Sequence, residues 1–468
     1  MDRCPRTLIY AFHESSLAAA IDLLQREEAL NVVHWIGVNS PSRLFDEDIH
    51  AWHVIGIAES SSVFSAEKIE ALCREIRDEH GSQIVDQLSR NAVCQQFALA
   101  DYTKLIDRLV VHFANLLHRK QVEIVILQNL PHEGFELVLY LVARSLGVAT
   151  LMTYQSILPN RFFQCTDLSD FGWFRTASES DAAIDIELPR GFKKELFYMR
   201  GVAAEVKKAD HRSWGDELRR RWRFQKIAFK VWKQKIGWYN RLGLTQPRIP
   251  PDQRYEWEIH RMANRRVDFD RPFVYFPLHL QPELTTSAIG DKYSNQMDAI
   301  EELSRWLPSK WKVYVKENPK QTFRYREPDF FARIRNLSNV VFVDRSINTY
   351  QLLDHCRFAA TITGTVGWEA ISGGKPVVVF GRPWYLTLPG VHHWPTEVLA
   401  EQIADTSIDH ELLTTKTKRL LRKSAAGIVD SAYQSSMLDY SAERNTLFIA
   451  DFLRRQLSSL FAVAPVPR

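Results

Sequence analysis

Two short stretches of this chain concentrate the residue types that carry out group transfer. In "ITGTVGWEA" (362–370) an apolar run ends at Thr363, and Gly364 permits a tight turn. Thr365 is placed to cap a helix that begins near Gly367, and Glu369 follows one turn later. The first N–H groups of a helix have no intrahelical acceptor. With the helix dipole they form an anion site suited to a phosphate. Gly367 lets a ligand come close to the backbone. A carboxylate one turn past a phosphate is placed to accept hydrogen bonds from two ribose hydroxyls. Gly373 and Gly374 then stop the helix. Glycine-bounded turns between strand and helix occur throughout α/β proteins, so this one acquires meaning only through its partners.

"YFPLHLQPELTTS" (275–287) begins as a strand and breaks into polar residues: His279, Gln281, Glu283, Thr285, Thr286 and Ser287. A buried histidine satisfied by backbone explains His279 alone, but not a loop with six hydrogen-bonding side chains. Lys316, in "VKENP" (315–319), ends another strand and offers a point charge to a phosphate. The second stretch is "LQNLPHEGFELVLY" (127–140), where His132 and Glu133 follow an apolar strand and a helix begins near Phe135. Transfer of a group to a hydroxyl needs a residue to deprotonate that hydroxyl, or a carboxylate to form a covalent adduct. Glu133 is preferred to His132 for that role. A plain acidic residue at a helix N-terminus is the other reading of Glu133. His13 and Glu14, after the first strand, form a lesser pair that would line an acceptor site. No D-x-D motif stands in a loop suited to a metal, so metal-independent chemistry is expected.

The elements that must position these residues are those of two α/β domains. Strand patterns at 7–12, 31–38, 122–129 and 148–154 alternate with helical ones, the rhythm of βαβ units and a parallel sheet. A second series runs 272–278, 311–319, 339–344 and then the two strands that bracket the glycine turn. Open parallel sheets bind ligands at the carboxyl ends of their strands. The predicted division is an N-terminal Rossmann-like acceptor and catalytic domain (1–205) and a basic, Trp-rich insertion with a Pro-rich linker (206–265). A C-terminal Rossmann-like domain (266–395), read below as the nucleotide-sugar-binding one on the strength of a family resemblance, and helices packing back on the body (396–468) follow. The two Rossmann-like domains are expected to face each other across a cleft.

At 468 residues with 45% hydrophobic and 25% charged residues, the composition is that of a globular protein. Five scattered cysteines in no C-x-x-C spacing suggest neither a disulfide framework nor a zinc site. The N-terminus does not read as a signal peptide and no window spans a membrane, so a cytoplasmic protein is expected. The net charge of +4 is localised: residues 206–248 hold 13 Lys and Arg against 3 Asp and Glu, with Trp214, Trp222, Trp232 and Trp238 interleaved. Over 217–241 the aromatic residues fall at helical spacing. That suits either an interdomain helix or attachment to an anionic membrane surface, at the inner membrane.

"G-T-x-G-x-E-A-x-x-x-G-K-P-V" together with "K-E-N-P" resembles the C-terminal domain of bacterial capsule and surface-polysaccharide glycosyltransferases of GT-B architecture, including the group that transfers Kdo from its CMP form. The resemblance covers roughly 272–395 and is only architectural over 1–200. It implies that Thr363, Gly364, Thr365, Val366 and Gly367 face the donor phosphate and Glu369 the ribose. Relatives often have His where this chain has Asn318. Trp384 and Tyr385 either stack on the base or belong to the core. The resemblance implies a nucleotide-sugar donor, CMP-linked in preference to UDP or GDP, no further cofactor, and a glycan or lipid-linked glycan acceptor. An epimerase of the UDP-GlcNAc 2-epimerase type shares the two-domain plan and is the rival enzyme. Nucleic-acid binding by the basic stretch is the non-enzymatic rival, disfavoured because no nucleic-acid motif accompanies it.

Overall fold

The computed structural model describes residues 4–11, 15–37, 46–47, 62–89, 98–177, 251–281, 283–321, 329–436 and 440–461, with single positions between 179 and 229. It divides into two compact units. The first comprises Met1–Glu187, Pro282–Ile289 and Thr414–Arg468; the second comprises Leu188–Gln281 and Gly290–Leu413.

In the first unit, strands β1 (Arg6–Ala11), β2 (Asn31–Gly37), β3 (Asp46–Glu47), β4 (Ile124–Leu127), β5 (Ala149–Gln155), β6 (Arg161–Cys165) and β13 (Ala425–Ala426) form one sheet. Its order is β13-β6-β5-β4-β1-β2-β3. The strands from β3 to β5 are parallel, while β6 runs antiparallel to both β5 and β13. Ile124–Leu127 is an uninterrupted apolar run buried on both faces, as a central parallel strand requires. Helices α1 (Ser15–Arg26) and α12 (Ala442–Phe461) share a core, with Leu17, Ile21 and Leu24 packed among Ile449, Leu453 and Leu457. Phe452 meets Phe162 of β6 edge-on, ring centroids 4.9 Å apart. Helices α2 (Ala66–Leu88), α3 (Leu99–Arg119) and α4 (Phe135–Ser145) complete the unit's long helical elements.

The second unit holds a six-stranded, wholly parallel sheet: β7 (Phe273–Pro277), β8 (Lys312–Lys316), β9 (Val340–Val343), β10 (Phe358–Thr361), β11 (Val377–Val379) and β12 (Val391–His393). The order β12-β11-β10-β7-β8-β9 reverses between β7 and β10, the doubly wound plan with its switch point there. Alternate residues of β7 and β8 (Val274, Phe276, Val313, Val315) pack on Met297, Ile300 and Leu303 of α6 (Gln296–Trp306). Helices α7 (Phe330–Arg335), α8 (Thr349–His355) and α9 (Thr365–Ser372) fill the crossovers, and α5 (Pro251–Met262) precedes the sheet.

The predicted strands are all present within one to three residues at each end. The sequence reading omitted β3, β6, β12 and β13, which are short or antiparallel. Of the C-terminal region predicted as one helical tail, residues through Leu413 stay with the second unit, and Thr414–Arg468 build into the first. Helix α11 (His410–Arg422) spans that division, and α10 (Ala400–Ala404) precedes it.

Candidate active site

The switch point of the second unit is closed by a histidine. His279, two residues past β7, brings Nε2 to 2.8 Å from Thr361 Oγ1 at the end of β10. The Thr363 N–H donates to the same Nε2 over 3.4 Å, and the Gly364 N–H donates to Thr361 Oγ1 over 3.2 Å. A backbone amide donating to Nε2 requires its lone pair there, so the ring is neutral with its proton on Nδ1. His279 thus shapes the glycine turn from behind. The added Cβ of an alanine at Gly364 would stand 3.0 Å from His279 Cε1 and 2.8 Å from Thr361 Oγ1, which is why glycine is needed there.

Two buried glutamines hold the polar loop. Gln296 Oε1 accepts the His279 N–H at 2.7 Å, while its Nε2 donates to His279 O at 3.3 Å and to Gln281 Oε1 at 3.0 Å. Gln321 does the same one residue pair along: Oε1 accepts the Gln281 N–H at 2.9 Å and Nε2 donates to Gln281 O at 3.1 Å. Each side-chain amide stands in for a neighbouring strand. Neither glutamine was singled out from the sequence, since nothing in local spacing marks a residue that reaches 17 or 40 positions back. Gln296→Leu is expected to lower stability by about 1–3 kcal/mol, the cost of leaving such buried groups unpaired, measured by denaturant unfolding.

Beyond the turn the details differ from the sequence reading. Helix α9 starts at Thr365 with Gly364 as its N-cap and no side-chain cap bond, two residues earlier than predicted, so Thr365 does not cap it. Gly367 serves packing: a Cβ there would lie 2.7 Å from Tyr385 Cζ and closer still to its hydroxyl. That hydroxyl donates to the Gly364 carbonyl and pins the turn. Trp384 and Tyr385 are buried, as is Val366, so these two aromatics belong to the core rather than to an exposed stacking surface. Gly373 caps the helix end and Gly374 takes φ +81°, as a glycine stop predicts.

Glu369 is 8% exposed, and burial raises its carboxyl to about 8. Among the described residues its carboxylate has no hydrogen-bonding or ion-pair partner. The phenols of buried Tyr275 and half-buried Tyr350 feel its charge, and desolvation holds the Tyr350 hydroxyl up at about 12. Lys316 does not stand free for a phosphate: its Nζ donates to Ile347 O at 2.5 Å and to Thr349 Oγ1 at 3.0 Å, tying down the start of α8. Burial lowers its ammonium to about 8, partly offset by Asp344. Asn318 closes its own turn by accepting the Lys320 N–H at 2.9 Å, and the neighbouring acid, Glu317, is 1% exposed and accepts from Tyr255 at 3.0 Å.

Glu283, Thr285 and Thr286 share none of the hydrogen bonds described above for His279, Gln281 and the glycine turn. Residues 282–289 belong to the first unit. Ser287 pairs with Asp86 of α2, and Gln83 Nε2 donates to Ser287 O at 2.6 Å. Thr286 Oγ1 donates back to Glu283 O at 3.2 Å, and Thr285 Oγ1 to Glu283 Oε2 at 3.3 Å. Of these hydroxyls, read as a ligand wall, Ser287 holds the loop on a helix and the two threonines close the loop on itself. The Glu283 carboxylate faces the phenols of Tyr154 and Tyr433, both kept protonated chiefly by burial.

In the first unit, the loop after β4 sits at the equivalent reversal of strand order, between β1 and β4. Glu133 is exposed and His132 half-buried. The His132 N–H donates to Glu136 Oε2 at 2.9 Å, and its Nδ1 lies 3.0 Å from Leu130 O and 3.4 Å from Glu136 Oε2. Glu136, 6% exposed, was missed because position 136 reads as one more helix residue. Tyr10 of β1, also buried, is held protonated by burial and by the charges of Glu136 and Glu133. From α2, Gln87 Nε2 donates to Pro131 O over 3.5 Å, and Leu88 packs where a Cβ at Gly134 would stand, 2.5 Å away. His13 and Glu14 lie outside the described residues, as does most of 217–241.

Two Rossmann-like units, each with polar loops gathered where its strand order reverses, define an α/β protein of doubly wound type. Residues 252–424 match the family of capsule polysaccharide biosynthesis proteins, which bears out the resemblance read over 272–395. No curated protein sequence matches the chain. Similar solved structures include two of Thermosulfurimonas dismutans KpsC. Its beta Kdo 2,7 transferase is 9% identical with TM-score 0.34, over 96% of this chain and 99% of that one. Its beta Kdo 2,4 transferase is 11% identical with TM-score 0.32, over 71% and 87%. UDP-GlcNAc 2-epimerase from Neisseria meningitidis, bound to UDP-GlcNAc, is 11% identical with TM-score 0.24, over 96% and 99%. Among the described residues no helix is long and apolar enough to cross a membrane.

Proposed function

We propose that this protein is a glycosyltransferase that moves a sugar from a nucleotide-activated donor to a growing bacterial surface polysaccharide. The observation that carries the reading is Glu369: a buried carboxylate without a protein partner among the described residues, one turn past a glycine turn at a switch point. An unpaired buried acid is costly, and two ribose hydroxyls donating to it would offset that cost. The donor nucleotide then rests its phosphate on the turn 363–367, with Glu369 on the ribose. His279 and Gln281 act behind the turn as its frame. The proton transfer and the negative charge that offsets the charge developing on the sugar are assigned to His132 and Glu133 of the first unit. No metal has a part in this scheme.

The sugar is Kdo or a related acidic sugar, a reading supported by the family resemblance. A thermal-shift panel tests the donor: CMP is expected to raise the melting temperature more than UDP or GDP, because a ligand of the native state alone stabilises it. Equal shifts, or a larger one with UDP, reject the CMP preference. Incubation with the nucleotide sugar and no acceptor separates transferase from epimerase. Sugar isomerisation in that mixture would favour the epimerase.

The basic stretch is proposed to rest on an anionic membrane surface. Its described positions include the exposed Leu218, Trp222 and Phe229, at 46%, 64% and 54% exposure, beside Arg219, Arg221 and Arg223. Lys226 lies over the Trp222 ring at 3.4 Å. The protein is expected to sediment with vesicles of anionic lipid at low salt, and to be released toward molar salt, where screening shortens to about 3 Å. Indifference to such vesicles at low salt would show a structural or glycan-binding stretch instead.

A further inference from the structure

The loop after β4 contains more than the two residues its sequence advertises. His132 Nδ1 stands 3.0 Å from the carbonyl oxygen of Leu130. A carbonyl only accepts, so in the neutral ring the proton sits on Nδ1 and the lone pair on Nε2. The carboxylate of Glu136, one helical turn further, touches the same residue twice. Oε2 accepts the His132 main-chain N–H at 2.9 Å and lies 3.4 Å from Nδ1. Its side chain is 8% exposed against 24% for His132, so the carboxylate is within the fold and the ring is nearer its surface.

The remaining neighbours reinforce the arrangement. Among the described residues, Glu133 is a second carboxylate in the same loop, and the buried Tyr10 phenol of β1, kept protonated, feels the charges of both acids. From α2, Gln87 and Leu88 fix the loop at Pro131 and Gly134 and bring no charge. A buried anion beside Nδ1 favours the imidazolium that forms once Nε2 has taken a proton. A carboxylate that fixes the tautomer and stabilises the charged ring makes the imidazole a directed base.

We infer that His132 Nε2 is the proton acceptor of the transfer reaction and that Glu136 is its positioning residue. The inference rests on the transferase reading given above. In the step, the acceptor hydroxyl gives its proton to Nε2 while its oxygen bonds to the anomeric carbon of the donor sugar. The bond from that carbon to the nucleotide phosphate oxygen breaks, and its electron pair leaves with the nucleotide. His132 ends as imidazolium, its Nδ1–H held between Leu130 O and Glu136. Glu133, exposed, is left to face the sugar.

Two measurements on the full chain test this. The first needs no substrate: ¹⁵N spectra of histidine-labelled protein, with His132→Asn identifying the signal. The wild type is expected to show the Nδ1–H tautomer, and Glu136→Gln to shift it toward a mixture. A merely structural Glu136 would leave the tautomer unchanged. The second is turnover with nucleotide sugar and glycan acceptor. His132→Gln is expected to lose about 10²–10⁴-fold in kcat. Glu136→Gln, which keeps an oxygen for the main-chain bond, is expected to lose at least about tenfold with KM unchanged, and Glu136→Asp to recover part of it. An Nε2–H tautomer in the wild type overturns the assignment, whatever the activity. The expected tautomer with an active His132→Gln places the base elsewhere and leaves the transferase reading standing. A wild type that binds no nucleotide sugar and transfers nothing overturns both.

Discussion

The Glu133→Gln variant is expected to bind donor nucleotide as the wild type does and to turn over about 10²–10³-fold more slowly. The side chain keeps its size and loses only its charge. Glu133 is exposed in the loop after β4, and no hydrogen bond or ion pair of its carboxylate is seen among the described residues. Unfolding in denaturant should therefore be unchanged within about 0.5 kcal/mol. The loss belongs to the reacting centre, where removal of a group that opposes developing charge lowers kcat directly. Calorimetric titration with nucleotide, run beside initial rates, separates the two effects. A variant that keeps most of its activity would reduce Glu133 to an acid at a helix N-terminus, favoured there by the dipole.

The second large effect is at Glu369 and has three parts. Glu369→Ala is expected to weaken nucleotide binding roughly 10- to 100-fold, the range for losing a hydrogen bond to a charged group. Unchanged affinity would remove Glu369 from the ribose. Hydroxyl donors favour the ionised carboxylate, so binding should pull its titration down from about 8 and release protons near neutrality. Calorimetry in buffers of different ionisation heat reads that release.

The third part is stability. The folded protein holds the Glu369 proton to higher pH than the unfolded chain, whose carboxyl titrates near 4.5. The folded state therefore binds more protons, and stability falls as pH rises from about 4.5 to about 8. Lys316 acts oppositely. Its ammonium falls from 10.5 to about 8 on folding, so stability returns between about 8 and 10.5. Glu369→Gln isolates the first contribution. The variant should match the wild type near pH 4.5 and exceed it by on the order of a few kcal/mol above pH 8. A difference independent of pH would mean that the carboxyl titrates normally.

The fold was legible because its central strands are written as plain apolar runs. "IVIL" at 124–127 and "VVV" at 377–379 have no other use than the middle of a parallel sheet. The glycine turn was legible for the same reason: Gly364, Gly373 and Gly374 mark backbone that other residues resist. What stayed hidden depends on partners remote in sequence. Gly367 looked like room for a ligand because Tyr385, which fills that room, is 18 positions away. Ser287 looked like part of a ligand wall because its partners, Gln83 and Asp86, lie some two hundred residues earlier. Lys316 looked like a free cation until Thr349 appeared beside it. Polar residue types advertise hydrogen bonding but do not say with whom.

The chain's division into units also sets the order in which they can be finished. Every strand of the second sheet has been made once His393 has left the ribosome. The first sheet must wait for β13 at Ala425–Ala426, and its α1 face for α12, which ends at Phe461. Between synthesis of β6 and of α12 the chain grows by almost three hundred residues, on the order of tens of seconds at usual translation rates. Throughout that interval Leu17, Ile21 and Leu24, together with Phe162, lack the helix that buries them. The half that is translated first is completed last, and its uncovered apolar face is the natural point of engagement for a chaperone during synthesis.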